Sequence, residues 1–339
     1  MPIGIIGDLH FKESLGYADY VTDGRRPERE EILNFIVDTF KECDTIVFLG
    51  DLLNSRSNSP HTIKSLVNFI EQFHGKEVYM IAGNHEKYGD GRSALDFLKE
   101  IKNPKWHVIT NEIFSVGSMT FLPSFSKSEK GKDTNEEFIK EIMSLLPGGD
   151  ILFHHFAVTD TLTNSGISVE AFSEPIFTRK NLEKKYKLIV GGHIHAAQCV
   201  GKTVVSGSIF NNEVGEKEKY IWTIDDALKV KQIKLPGRAI YKLENPTEAE
   251  LDAIDPSSIV KVVITKKLER SKVDELKERL AKFDAFLVSE QVPNERKKIE
   301  FGNGEAVTEF SIEQLLEVYS KERGVDLAKL KLGFELINL

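Results

Sequence analysis

Short apolar runs separated by amphipathic stretches fill the first 225 or so residues. The runs Ile3–Ile6, Thr45–Leu49, Val78–Ala82, Ile151–Phe153 and Leu188–Val190 are rich in Ile and Val. They are apolar at nearly every position, as strands buried on both faces must be. Between them apolar positions recur at helical spacing: Ile32, Ile36 and Phe40 behind Pro27, then Ile63, Leu66, Val67 and Ile70, then Phe138, Ile142 and Leu145. Strand and helix in alternation predict an α/β layered fold. Ser118–Leu122, Thr203–Val205 and Tyr220–Ile224 also read as strands, several with no helix before the next. A two-sheet β-sandwich flanked by helices accommodates them better than one doubly wound sheet.

The pattern changes near Leu235–Pro246, where Pro236, Gly237 and Pro246 punctuate the chain. This predicts a first domain over 1–240. Beyond it Ile259–Thr265 reads as a strand, Ser271–Phe283 as a helix capped by Ser271, and Ala285–Ser289 as a strand. That β-α-β unit predicts a small C-terminal α/β domain over 246–305. The polar stretch Pro293–Lys298 and the glycines Gly302 and Gly304 lead to a tail over 306–339. Its helix, Ser311–Arg323, opens on a Ser-x-x-Gln capping box.

Composition changes this picture little. The 339 residues are 40% hydrophobic and 29% charged, with a net charge of −8, ordinary values for a globular protein. The acidic balance argues against coating nucleic acid through a bulk positive field. It leaves a nuclease open, because a metal site carries its own charge. Cys43 and Cys199 stand far apart in no CxxC pattern, the usage of a reducing compartment. The N-terminus lacks the basic flank and apolar run of a signal peptide, and no stretch approaches the ~20 apolar residues of a membrane span. A cytoplasmic protein with no membrane partner is expected.

The candidate chemistry lies where the buried-type runs end. Ile3–Ile6 runs into Asp8 and His10, Thr45–Leu49 into Asp51, and Val78–Ala82 into Asn84, His85 and Glu86. Ile151–Phe153 ends in His154 and His155, and Leu188–Val190 in His193 and His195. Ligands of open α/β sheets sit at the carboxyl ends of strands, so the five turns can converge on one cleft. Asp and Asn oxygens mixed with imidazole nitrogens suit manganese, iron or zinc rather than calcium. Taken singly, a Gly-Asp after a strand is more often a turn than a ligand, and a buried His more often a core residue. Six of the nine histidines in these five places are not explained that way. Adjacent strand residues face opposite sides, so only one of His154 and His155 can reach an ion.

The segments GDLH, GDLLN, GNHE, HH and GGHIH resemble the five signature motifs of the calcineurin-like metallophosphoesterases. The resemblance covers residues 3 to 195. It implies two divalent metal ions, manganese first and magnesium as the alternative. Asp8, His10, Asp51 and His195 would hold one ion; Asp51, Asn84, His193 and one of His154 and His155, with His155 favoured, would hold the other. Asp51 would bridge them. His85 would act on the scissile phosphate without binding metal, and Glu86 would orient it. Two such ions clamp a phosphate and activate water. The chain has neither a Walker A sequence nor a Gly-x-Ser-x-Gly, so no ATPase or Ser triad competes.

Within that family the linking sequences resemble SbcD-type DNA repair exonuclease subunits, phage recombination exonuclease subunits included. GDLLNSRSNSP, the order His155, Gly192–His195, Ser206–Ser208, and the α/β unit after residue 246 carry the likeness. It implies a DNA nuclease, exonuclease on double strands and endonuclease on single strands, with an SMC-like ATPase partner docked through the C-terminal tail and a homodimer. Asn54 and Arg56 become candidate DNA contacts. Asn54 stands where many relatives carry His, and it can still donate to a phosphate. The alternative is a small-molecule or phosphoprotein phosphatase or phosphodiesterase of the same fold. A scaffold without metals is weaker, since every ligand position is filled.

Overall fold

The computed structural model describes residues 2–21, 23–216 and 218–291, together with 316, 317, 320 and 326–331. The chain divides into two compact units, Met1–Gln291 and Val292–Leu339. In the second, 316–317, 320 and 327–331 are helical. The expected polar stretch Pro293–Lys298 and cap Ser311 lie outside the described residues.

The first unit is built on two six-stranded sheets. One runs in the order Val230–Lys234, Tyr220–Ile224, Ile3–Ile6, Thr45–Phe48, Glu77–Ile81, Trp106–Ile109. Its last four strands are parallel; the first two join antiparallel. The other runs Gln198–Val200, Thr203–Val205, Tyr186–Gly191, Gly149–His154, Met119–Leu122, Phe114–Val116. Its four inner strands are parallel and both edges antiparallel.

Alternation along each strand decides what it packs on. Ile46 and Phe48 face outward with Ile32, Ile36, Leu66 and Phe69 of the helices Arg26–Thr39 and Pro60–Glu71. Val47 and Leu49 face inward, in one core with Phe121, Phe153, Val190 and Trp222. Behind the second sheet, Leu152 and Ile189 pack on Phe138 and Ile142 of the helix Asn135–Leu145. Two sheets share an apolar layer and helices cover the outside, as the pattern of runs predicted. The inner strands Ile3–Ile6 and Thr45–Phe48 are short and apolar because neither face meets water.

Helix starts follow local chemistry the periodicity did not use. Ser59 accepts from the Thr62 N–H and Thr134 from the Glu137 N–H, capping two helices. Ser271 does not cap its helix. The helix begins at Arg270 with Glu269 at the cap position, and no side chain caps it.

A third, three-stranded parallel sheet closes the first unit, in the order Ile240–Glu244, Ile259–Ile264, Ala285–Glu290. The helix Arg270–Leu280 covers it, with Val273 and Leu280 packed on Val260, Val262 and Ile264. Its first strand lies in the stretch read from sequence as a boundary. Ile240 and Ile259 pack on Val21 and on Tyr17, residues of the loop that follows His10. Among the described residues no helix is long and apolar enough to cross a membrane.

Candidate metal centre

The five turns expected to converge do so. Asp8 is fully buried, and His10, Asp51 and His155 nearly so. Parallel strands ending at one level deliver these side chains from both sheets, and tight turns aim them. His10, Asp51 and His193 adopt left-handed backbone with φ of 43°, 48° and 80°, a region that disfavours side chains. Gly50 and Gly83 make room: a Cβ on Gly50 would meet His155 Nδ1 at 2.3 Å, and one on Gly83 would meet Asp51 Oδ1 at 2.1 Å.

The donors face one another across short gaps. His10 Nε2 lies 2.9 Å from His195 Nε2 and 3.7 Å from Asp51 Oδ2. His155 Nε2 lies 3.2 Å from Asp51 Oδ2, 3.0 Å from Asn84 Oδ1 and 4.0 Å from Asp8 Oδ1. His193 Nδ1 lies 3.0 Å from the same Asn84 oxygen. Three groups of donor atoms fall within 4.8 Å of one another: Asp8, His10 and His195; His10, Asp51 and His85; Asp8, Asp51 and His155. Asp8, His10 and Asp51 each belong to two of them.

Electrostatics fits this donor set to cations. Asp8 Oδ2 and His10 Nδ1 are buried with no partner in the protein, an arrangement that costs free energy unless something else satisfies them. Burial lowers the His10 imidazole to about 4, keeping it neutral with a lone pair to give. Asp51 is held well below the usual carboxylate range; burial opposes this, and His155, His10 and His85 overcome it. Burial would likewise lower His155, yet Asp51 and Asp8 push it up to about 10. Its Nδ1 pairs with the Leu49 carbonyl at 2.6 Å, which fixes the ring with Nε2 facing the centre.

His154 takes no part. Its ring packs against Gly191, where a Cβ would meet it at 2.4 Å. Its Nδ1 accepts from the Phe156 N–H at 3.2 Å, and burial lowers it to about 3. Of the two rings it is His155 that faces Asp51, Asn84 and Asp8.

His85 stands at the mouth, its side chain 44% exposed and Nε2 4.0 Å from Asp51 Oδ2. Glu86 does not orient it, contrary to the expectation. The Glu86 carboxylate is fully buried and accepts from the backbone N–H groups of Leu53 and Gly83 at 2.7 Å and of Asp51 at 3.2 Å. Burial and the Asp51 charge push Glu86 up to about 8 against those donors. The partner of His85 is the Asn54 carbonyl, 2.9 Å from Nδ1.

Asn54 and Arg56 are both exposed beside His85, with the Arg56 guanidinium over the Tyr88 ring at 6.0 Å. Lys87, a neighbour in sequence, is buried and ion-paired with Glu129 at 2.7 Å. One residue escaped the sequence reading altogether. Glu174 Oε2 lies 2.8 Å from His193 Nε2, behind the nitrogen that faces Asn84. It sits in a loop between strands, where no periodicity or motif marks it.

Comparison with solved structures returns weak likenesses. A Staphylococcus aureus chain assigned as a 5′-nucleotidase, in complex with α-ketoglutarate, is 14% identical over 82% of this chain with a TM-score of 0.36, and this chain spans 58% of its length. A Vps29 double mutant from Entamoeba histolytica is 13% identical over 70% of this chain and 100% of its own, with a TM-score of 0.27. The family comparison is of another order, matching residues 1–197, which hold all five turns of the centre. The chain belongs to the calcineurin-like phosphoesterase family, metal-dependent hydrolases of phosphoesters that use two divalent ions.

Proposed function

We propose that this chain is the nuclease subunit of a DNA repair or recombination complex, hydrolysing phosphodiesters. In this reading Asp8, His10, Asp51 and His195 hold one ion and Asp51, Asn84, His155 and His193 the other. Two divalent ions held by these residues would supply Lewis acidity for attack of water on the phosphoester. The chain's own groups do the rest. Neutral His10 offers a lone pair, His195 faces it at 2.9 Å, Asp51 spans both sets, and the Leu49 carbonyl fixes His155. His85, held by the Asn54 carbonyl, faces solvent at the mouth, where it would donate to the phosphate or to the leaving oxygen. Exposed Asn54 and Arg56 would hold the phosphate chain on either side.

The observation that supports DNA over a small phosphoester is the covered three-stranded sheet at 240–290, placed in sequence where nucleases of this family carry a DNA-capping domain. Manganese, an SMC-like ATPase partner and a homodimer belong to the same proposal. Linear duplex DNA, p-nitrophenyl phosphate and bis-p-nitrophenyl phosphate, each offered with Mn²⁺, test it. The nuclease reading expects DNA and the diester to be cut and the monoester to be spared. Fast monoester hydrolysis with intact DNA would replace it with a phosphatase.

A further inference from the structure

Beside the metal centre lies a cleft of about 250 Å³ to which Asn84, His155 and His193 each contribute a wall. Whatever binds there is next to the phosphate held at the second ion's position. The remaining wall divides between an aromatic and apolar part, Tyr88, Phe125, Phe156 and Pro175, and a polar part that includes Arg56, Lys87 and Glu174. Phe125 and Phe156 are only 4% and 6% exposed. Tyr88 is half-buried, and the guanidinium groups of Arg56 and Arg92 lie over its ring at 6.0 and 5.4 Å. Its backbone is pinned to Arg92 at 2.9 Å and its hydroxyl donates to the Arg56 carbonyl at 3.2 Å.

We propose that this cleft is a nucleobase subsite, seating the base of a nucleotide that flanks the scissile phosphate. The inference rests on the nuclease reading and names what the cut strand places beside the metals. Three properties carry it. The volume has room for a nucleoside and none for a folded oligonucleotide. The half-buried Tyr88 ring, with Pro175 and the little that Phe125 and Phe156 expose, suits a planar ring and does little for a sugar-phosphate backbone. The charge on the walls is mixed and not built for a second phosphate: Glu129 pairs the Lys87 ammonium at 2.7 Å, the Arg56 guanidinium lies over the Tyr88 ring, and the Glu174 carboxylate lines the same space. Stacking on such walls tolerates every base, since each presents a π-face. The subsite therefore fixes register along the strand without reading sequence.

The test uses the full chain with Mn²⁺ and duplex oligonucleotides identical except for a tetrahydrofuran abasic residue at the nucleotide flanking the cut. For the wild type, removing the base should lower kcat/KM about 10- to 100-fold, mainly through KM. Tyr88→Ala should lose a similar factor on normal DNA and then discriminate little against the abasic strand. Tyr88→Phe, which keeps the ring, should retain the discrimination, and manganese stoichiometry should be the same in all three proteins. Equal cleavage of normal and abasic DNA by the wild type would overturn the subsite while leaving the nuclease reading intact. So would losses from Tyr88→Ala and from the missing base that multiply. A wild type that cuts neither strand would overturn the nuclease reading, and the subsite with it.

Discussion

Around the metal centre three of the imidazoles are held by a second contact, and these contacts differ in kind. His155 is fixed by a main-chain carbonyl, His193 by the Glu174 carboxylate, and His85 by the Asn54 carbonyl at a site open to water. His85 is the one of these with nearly half its side chain exposed, so removing it disturbs little packing. His85→Ala should reduce hydrolysis about 10²- to 10⁴-fold, the worth of a positioned proton donor, while two metal ions per chain remain on elemental analysis. Loss of an ion would mean that His85 is itself a ligand, as its place beside Asp51 and His10 allows. The imidazoles were legible in the chain because they end apolar runs. Their supports were not, because main-chain carbonyls carry no sequence signature and Glu174 lies in an unpatterned loop. The pair at 154 and 155 shows the same limit: alternation says that one faces in, and the packing of Gly191 against His154 says which.

Strand ends, more than individual ligands, set the geometry, and Glu86 ties them together. Its carboxylate takes N–H groups from the turn after Thr45–Phe48 and from the turn after Glu77–Ile81, locking two neighbouring parallel strands at the level of the metals. Glu86→Ala would strand these donors in a dry interior at about 1–3 kcal/mol for each group left unmade. Urea unfolding should show a loss of at least ~3 kcal/mol, and activity should fall with it even though the residue touches no substrate. A change confined to kcat, with the unfolding midpoint unmoved, would return Glu86 to a role in the chemistry. Layering and strand positions were readable from the runs, since strands buried on both faces have no polar register to confuse. Helix starts were less so. Ser271 looked like a cap because Ser caps well, yet the helix begins one residue earlier, and the strand Ile240–Glu244 hid in a stretch that its flanking prolines marked as a boundary.

At the scale of the whole first unit, Arg238 joins three regions far apart in sequence. Its guanidinium meets Asp23 at 3.1 Å and Asp284 at 3.1 Å. Its N–H donates to Glu28 at 2.8 Å, and its carbonyl accepts from Asn211 at 2.7 Å. The Asp284 contact reaches the turn before the last strand of the small sheet, and Asp23 and Glu28 belong to the segment after His10. With Arg238 removed, as in Arg238→Ala, amides of Ile259–Ile264 and Ala285–Glu290 should exchange faster, by a local destabilisation of about 1 kcal/mol. Unchanged exchange there would mean that the apolar contacts of Ile240 and Ile259 hold the small sheet unaided. The left-handed turns at His10, Asp51 and His193 have a consequence for anyone altering this protein. Stability engineering favours glycine or asparagine at such backbone positions, and at these three either one would remove an imidazole or carboxylate that the proposed metal site uses. The strain, of order 1–3 kcal/mol at each of these places, is a standing charge against the fold. A thermostable version must therefore be sought in the layers behind the centre, leaving the turns as they are.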